Sequence, residues 1–153
     1  MSKISKDIFG GKDKRQYFDF FSRRTEWQIN KNNFPQEFFS IIAIFEEDCD
    51  FNVREIRSDM QRLFIAGQNS RGDKRNELML RYGDEELIVA RVGFVHTRQG
   101  NMTRLYKILK QIKRKYKLKK IIIECCVTKA SVDWCEKNGF VKINKNSTSY
   151  IEK

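Results

Sequence analysis

The sequence predicts one mixed α/β domain, a sheet with helices packed on it, and three observations carry that expectation. Apolar residues recur at helical spacing in several segments. In the second half, short branched apolar runs bounded by turn residues alternate with those segments. Nothing between them reads as a linker: the 153 residues contain one proline, Pro35, and no repeat, low-complexity tract or Ser/Gly-rich stretch. We therefore treat 1–153 as a single domain, large enough for a real core.

Taken in order, three segments are expected to be helical: "KRQYFDFFSRR", "PQEFFSIIAIFEED" and "VREIRSDMQRLFIAG". In the last, Val53, Ile56, Met60, Leu63 and Phe64 recur at helical spacing. The polar loop "GQNSRGDKRN", Gly67 to Asn76, follows, and strands are expected only beyond it, which makes the N-terminal half helical. "NELMLRY" and "EELIVARVGFVH" flank "YGDEE", where Gly83 and Asp84 supply the turn of an antiparallel hairpin. Leu105, Ile108, Leu109, Ile112 and Tyr116 then form one stripe of a helix from about Asn101 to Tyr116. "KKIIIECCVT" is a buried strand, "KASVDWCEKNG" a helix stopped at Gly139, and "FVKIN" and "TSYIEK" are closing strands. The aromatic clusters "YFDFF" and "FPQEFF", with Trp27 and Trp134, read as core rather than as base-stacking surfaces.

Composition narrows the function. Lys and Arg number 31 against 20 Asp and Glu, a formal charge of +11 that attracts polyanions. Nine of the basic residues, and no acid, fall between Arg104 and Lys120. The longest apolar runs, "FFSIIAIF" and "LIVARVGFV", are too short to cross a bilayer, and "MSKISKDIFGGK" lacks the apolar core of a signal peptide. The expectation is a cytoplasmic protein with no membrane partner. Cys125 and Cys126 are adjacent, Cys49 and Cys135 isolated, and His96 is the only histidine, so reduced, unligated thiols and no metal are expected. No Ser-His-Asp order, P-loop lysine or metal-ligand set supports a hydrolase, kinase or metalloenzyme.

The junction "HTRQGNMTRLYKIL" stands where an apolar strand gives way to a basic helix. A glycine turn feeding a helix start gathers unpaired N–H groups, and the helix dipole adds partial positive charge, so the place suits a phosphate. About thirty residues later "CEKNGF" closes one helix and opens a strand. With these two pieces in this order the chain resembles the GNAT superfamily of acyl-CoA N-acyltransferases. There a central strand leads into an R/Q-x-x-G-x-G/A turn whose amides bind the pyrophosphate of coenzyme A, and a later helix commonly ends in "YEKxGF". The resemblance covers Asn76 to Lys153, and the form "RxGxMTxL" looks like a divergent bacterial or phage-borne subgroup. With Arg98 on the first motif position, Asn101 and Thr103 stand where glycine and small residues are usual, and Gly100 lies one place early. Asn tolerates a left-handed backbone, and Thr103 can cap the helix or donate to a phosphate.

The resemblance implies a GNAT-like mixed, mostly antiparallel central sheet flanked by helices, with acetyl-CoA as cofactor. It also implies direct attack on the thioester by a primary amine of a protein, a metabolite or an aminoacyl-RNA. The coenzyme would lie on Phe94, Val95, His96, Arg98, Gln99, Gly100, Asn101, Met102, Thr103 and Arg104, with the N–H groups of Phe94 to His96 at the thioester carbonyl. The tyrosine that commonly protonates the leaving thiolate is here Cys135, which can donate a proton or serve as a small buried hydrophobe, and Tyr150 is a substitute donor. His96, Glu124 or a relayed water are the candidates for general base.

Lys107, Lys110, Lys113, Arg114 and Lys117 lie off the apolar stripe, where they can meet the 3'-phosphate of coenzyme A, track a nucleic-acid backbone or form a solvated face. The rival functions are a catalytically inactive GNAT-fold nucleic-acid-binding or interaction module, and a nucleobase-modifying enzyme. An exposed sheet edge would also allow a homodimer.

Overall fold

The computed structural model describes residues 26–29, as a course of backbone, together with 36–58 and 62–153. Strand β1 (Glu26–Ile29) precedes helix α1 (Glu37–Asp48), after which the chain runs through β2 (Val53–Ser58), β3 (Arg62–Gln68), β4 (Arg75–Tyr82) and β5 (Glu86–Gly93). Helix α2 (Asn101–Lys115), β6 (Lys120–Ile123), α3 (Lys129–Lys137), β7 (Phe140–Lys142) and β8 (Tyr150–Glu152) complete the described elements. The strands form one sheet in the order β1-β2-β3-β4-β5-β6-β8-β7. β1 pairs with β2, and β5 with β6, in parallel; the other neighbours are antiparallel. The mixed, mostly antiparallel sheet with flanking helices is thus as the sequence predicts. Among the described residues no helix is long and apolar enough to cross a membrane.

Helix α1 explains itself by composition: Phe38, Phe39, Ile41, Ile42, Ile44 and Phe45 are all buried, too many for a helix with a solvent face. It packs beside α2 and over β3 and β4. Each such side chain stabilises the fold by about 1.5–3 kcal/mol when fully buried. In α2 the expected stripe is present, with Leu105, Leu109 and Ile112 fully buried and Ile108 partly so, while Tyr116 just beyond the helix is exposed. The hairpin across "YGDEE" also forms, closed by the Gly83 N–H donating to the Glu86 carbonyl at 2.7 Å. The loop between β3 and β4 is the tip of a second hairpin, with Gly72 at φ +76° and Asn69 bonded to Asp73 and to the Lys74 N–H.

One helix of the sequence reading is overturned. Residues 53–58 and 62–67 belong to β2 and β3, paired antiparallel, so strands begin well before the Gly67–Asn76 loop. The register shifts between Val53 and Glu55, and this bulge turns Val53 and Ile56 to the same buried side although they are three apart. Leu63 and Ile65 then alternate in ordinary strand fashion. A bulge followed by a strand imitates helical periodicity. The helical N-terminal half is therefore reduced, among the described residues, to α1; "KRQYFDFFSRR" lies outside them, as does Met60.

Candidate functional site

The site is made by two strands that part. β5 and β6 run in register from Glu86 and Lys120 to Val89 and Ile123, and the Glu124 N–H still donates to the Val89 carbonyl at 2.8 Å. Beyond that point β5 carries an extra residue: Leu80 pairs with Val89 and Met79 with Arg91, so Ala90 is the bulge. Cys125 adopts φ +55°, and the Cys126 N–H bonds to Thr148 on the way to β8, which turns the chain away from β5. β5 continues to Gly93 with β4 as its only strand neighbour among the described residues. A cleft of about 370 Å³ opens there, with Phe94, His96, Arg98 and Gly100 to Thr103 on one wall and Thr128, Ser131, Asp133 and Trp134 on the other.

Helix α2 points its N-terminus at this cleft. Its N-cap, Gly100, has φ +82° and ψ 4°, no side chain caps the first turn, and no acid lies in that turn. A Cβ on Gly100 would meet nothing within 4 Å, so the glycine is there for its backbone conformation. The first bond into the helix is Arg104 N–H to the Gly100 carbonyl, which leaves the N–H groups of Asn101, Met102 and Thr103 without an acceptor among the described residues. Lys113, Arg114 and Lys115 occupy the last turn, where positive charge suits the dipole. This half of the site is electrostatically prepared for an anion.

The other half already holds one. Asp48, at the C-terminal end of α1, has a fully buried carboxylate. Oδ2 accepts from the Val95 N–H at 2.6 Å and from Asn76 Nδ2 at 2.9 Å; Oδ1 accepts from the His96 N–H at 2.9 Å and from Asn101 Nδ2 at 3.2 Å. Four charge-assisted bonds offset the cost of burying the carboxylate. The Asp48 backbone carbonyl accepts in turn from His96 Nδ1 at 3.0 Å. Nothing in "EEDCD" singles out Asp48, because its partners lie 28 to 53 residues further along the chain.

The sequence candidates fall into two groups. His96, Arg98, Gly100, Asn101, Met102, Thr103 and Phe94 line the cleft; Val95 is buried beside it, and Gln99 and Arg104 stand outside its lining. Phe94 stacks on Phe45 with ring centroids 4.9 Å apart, Arg98 pairs with Asp133 at 3.4 Å, and Arg104 pairs with Glu47 at 3.0 Å. Glu124, Cys135 and Tyr150 do not line it. Glu124 pairs with Arg81 at 3.2 Å. The Cys135 thiol is buried 3.5 Å from Cys126 Sγ, and that contact, with burial, pushes its titration well above the ordinary thiol range. Tyr150 is buried too, its hydroxyl without a partner among the described residues, and desolvation raises its titration. Of the cations on α2 and just beyond it, Lys113 pairs with Glu152 and Lys115 with Glu37, while Lys107, Lys110, Arg114 and, past the helix end, Lys117 have no acidic partner among the described residues. Lys110 sits over the Tyr106 ring at 4.6 Å.

No family model and no curated protein matches the chain. Among solved structures it is similar to the anti-CRISPR protein AcrVA5, at 14% identity and a TM-score of 0.44 over 51% of this chain and 90% of that one. It is also similar to GCN5 from Tetrahymena, at 14% identity and a TM-score of 0.43 over 98% of this chain and 86% of the other. A third is the PaiA N-acetyltransferase from Thermoplasma acidophilum in complex with coenzyme A, at 11% identity and a TM-score of 0.42 over 79% of each chain. These are likenesses in outline, too distant to assign an activity. On its own topology the fold is GNAT-like: a mixed, mostly antiparallel sheet whose one interior parallel pair parts at a bulge, with a glycine turn into an uncapped helix beside the gap.

Proposed function

We propose that the chain is an acyl-CoA-dependent N-acetyltransferase that moves an acetyl group to a primary amine by direct attack on the thioester. The observation that carries this reading is the uncapped N-terminus of α2, with Gly100 left-handed and three free N–H groups, opening on the cleft where β5 and β6 part. The positive end of the helix and its unbonded N–H groups support a pyrophosphate there. Arg98, Gly100, Asn101, Met102 and Thr103 would hold it, and Trp134 and Phe94 would wall the arm that follows. The bound coenzyme supplies an activated acyl thioester.

The chain's own residues do the rest. Because Asp48 takes the N–H groups of Val95 and His96, a thioester carbonyl would draw its donors from the unpaired edge of β5 beyond Val89. His96 lines the cleft and would remove a proton from the attacking amine, whereas Glu124 is held to Arg81. Tyr150 and Cys135 remain the proposed sources of a proton for the departing thiolate. Each is buried, with its titration raised by its surroundings. The free cations of α2 favour an anionic acceptor.

Titration calorimetry with acetyl-CoA tests the proposal, with adenosine 3',5'-bisphosphate as the control for simple charge attraction. Saturable one-to-one binding that survives moderate salt is expected. Binding that vanishes with salt would replace this reading with a GNAT-fold nucleic-acid-binding or interaction module, which the occupied Val95 and His96 amides and the buried Cys135 thiol favour.

A further inference from the structure

His96 Nδ1 faces two acceptors that belong to one residue. The Asp48 backbone carbonyl lies 3.0 Å away and the Asp48 carboxylate Oδ1 3.4 Å away. Neither has a proton to give when the carboxylate is ionised, so the proton between them sits on Nδ1. Nε2 has no hydrogen bond among the described residues, the ring is more than half exposed, and the residue lines the cleft.

The same carboxylate grips the backbone on which the ring is mounted. It accepts from the Val95 and His96 N–H groups, and through Asn101 it reaches the first residue of α2. Asn76 at the start of β4 closes the far side and also donates to the Phe45 carbonyl. Strand β5, helix α2 and helix α1 are thus pinned at one buried anion, and the ring can turn little without breaking its own bond to the Asp48 carbonyl.

We propose that Asp48 is a positioning residue which holds His96 as the Nδ1–H tautomer and presents Nε2 to the cleft as the proton acceptor for the amine. This rests on the acyltransferase reading above. In the step itself a neutral amine forms the C–N bond as the C–S bond breaks, the sulfur leaves with the electron pair, and the amine's proton passes to Nε2. The imidazolium so formed keeps its Nδ1–H bond, with the Asp48 carboxylate beside it to balance the charge.

His96 is the only histidine, so labelling the protein with 15N-histidine reports on this ring alone. At a pH where the ring is neutral, a protonated Nδ1 and an unprotonated Nε2 are expected, the reverse of the preference of free histidine. A predominant Nε2–H form overturns the proposal, and this readout holds whether or not the chain transfers acyl groups. Asp48→Asn keeps the backbone carbonyl as an acceptor but weakens the grip on the Val95 and His96 amides that holds the ring against it, so the Nδ1–H preference should erode; an unchanged tautomer in the folded variant overturns the positioning role of the carboxylate. For activity, His96→Gln is expected to lower kcat about a hundredfold and Asp48→Asn about tenfold or more. The double variant should be no slower than His96→Gln alone. Losses that multiply would make Asp48 a support of the fold and sink the proposal. If the wild-type protein fails to bind acetyl-CoA, the acyltransferase reading falls while the tautomer still decides the geometry.

Discussion

Trp134 donates its indole N–H to Thr103 Oγ1 across 3.1 Å, joining α3 to the first turn of α2 where both line the cleft. The bond uses the threonine oxygen as acceptor and leaves its hydroxyl hydrogen free to donate outward. Tyr106 and Phe140 meet the same indole at 5.3 and 5.6 Å, so the ring is held from behind. Trp134→Phe keeps most of that packing and removes the bond. Acetyl-CoA affinity is expected to fall about threefold to tenfold with the melting temperature nearly unchanged. Calorimetry against a thermal melt separates the two, and unchanged affinity would free Thr103 of any dependence on α3.

Gly100 offers a sharper test of the cradle. Since a Cβ there meets no atom of the described residues within 4 Å, Gly100→Ala should cost only the strain of φ +82°, about 1 kcal/mol. A phosphate drawn close to the backbone would feel the added methyl, so acetyl-CoA affinity should fall by about tenfold or more. Equal affinity in a folded variant would place the coenzyme elsewhere.

Glu152 ties the end of β8 to α2 and β6. Burial opposes its charge, but Lys113 Nζ at 2.9 Å, the Tyr106 hydroxyl at 2.7 Å and the Ile121 N–H at 3.0 Å outweigh it and hold the carboxyl below its usual range. With the folded value below the unfolded one, the stabilisation is complete above the unfolded value and is lost as pH falls through the folded one. Glu152→Gln should therefore cost about 1–3 kcal/mol near neutral pH and close to nothing once wild type is itself protonated. Urea unfolding at neutral and acid pH checks this; an equal loss at both would assign the effect to packing.

The four thiols should separate by reactivity. Cys125 is exposed, whereas Cys49, Cys126 and Cys135 are buried, and burial pushes the Cys49 thiol up to about 11. A native chain should release one equivalent of chromophore at once from an aromatic disulfide reagent, and the other three only on unfolding. Cys135→Ala is expected to cost about 1–2 kcal/mol of stability, and acyl transfer continues if Tyr150 is the proton source. A transfer rate that collapses at unchanged stability would give the thiol the leaving-group role.

The second half of the chain was legible because each element there obeys one local rule. α2 carries an unbroken stripe, the β4–β5 hairpin has its glycine turn, and α3 is bounded by the Thr128–Ser131 capping box and by Gly139 at φ +83°. Residues 53–67 were not, because the bulge near Val53 spaces inward side chains three apart and a 3.6-residue period then fits by accident. The edge strand β1 was missed as well; its pairing with β2 supplies what four residues cannot announce.

The candidate site divides the same way. The sequence by itself determined that a glycine turn enters a basic helix after an apolar strand, since turn chemistry, periodicity and charge are properties of neighbouring residues. Only the tertiary structure decided that β5 and β6 part at Ala90 and Cys125, that Cys135 turns inward to Cys126, and that Asp48 lodges on the Val95 and His96 amides. Asp48 and Val95 are 47 residues apart. A bond between them exists only because α1 and the end of β5 are packed against one core, and no local rule carries that information.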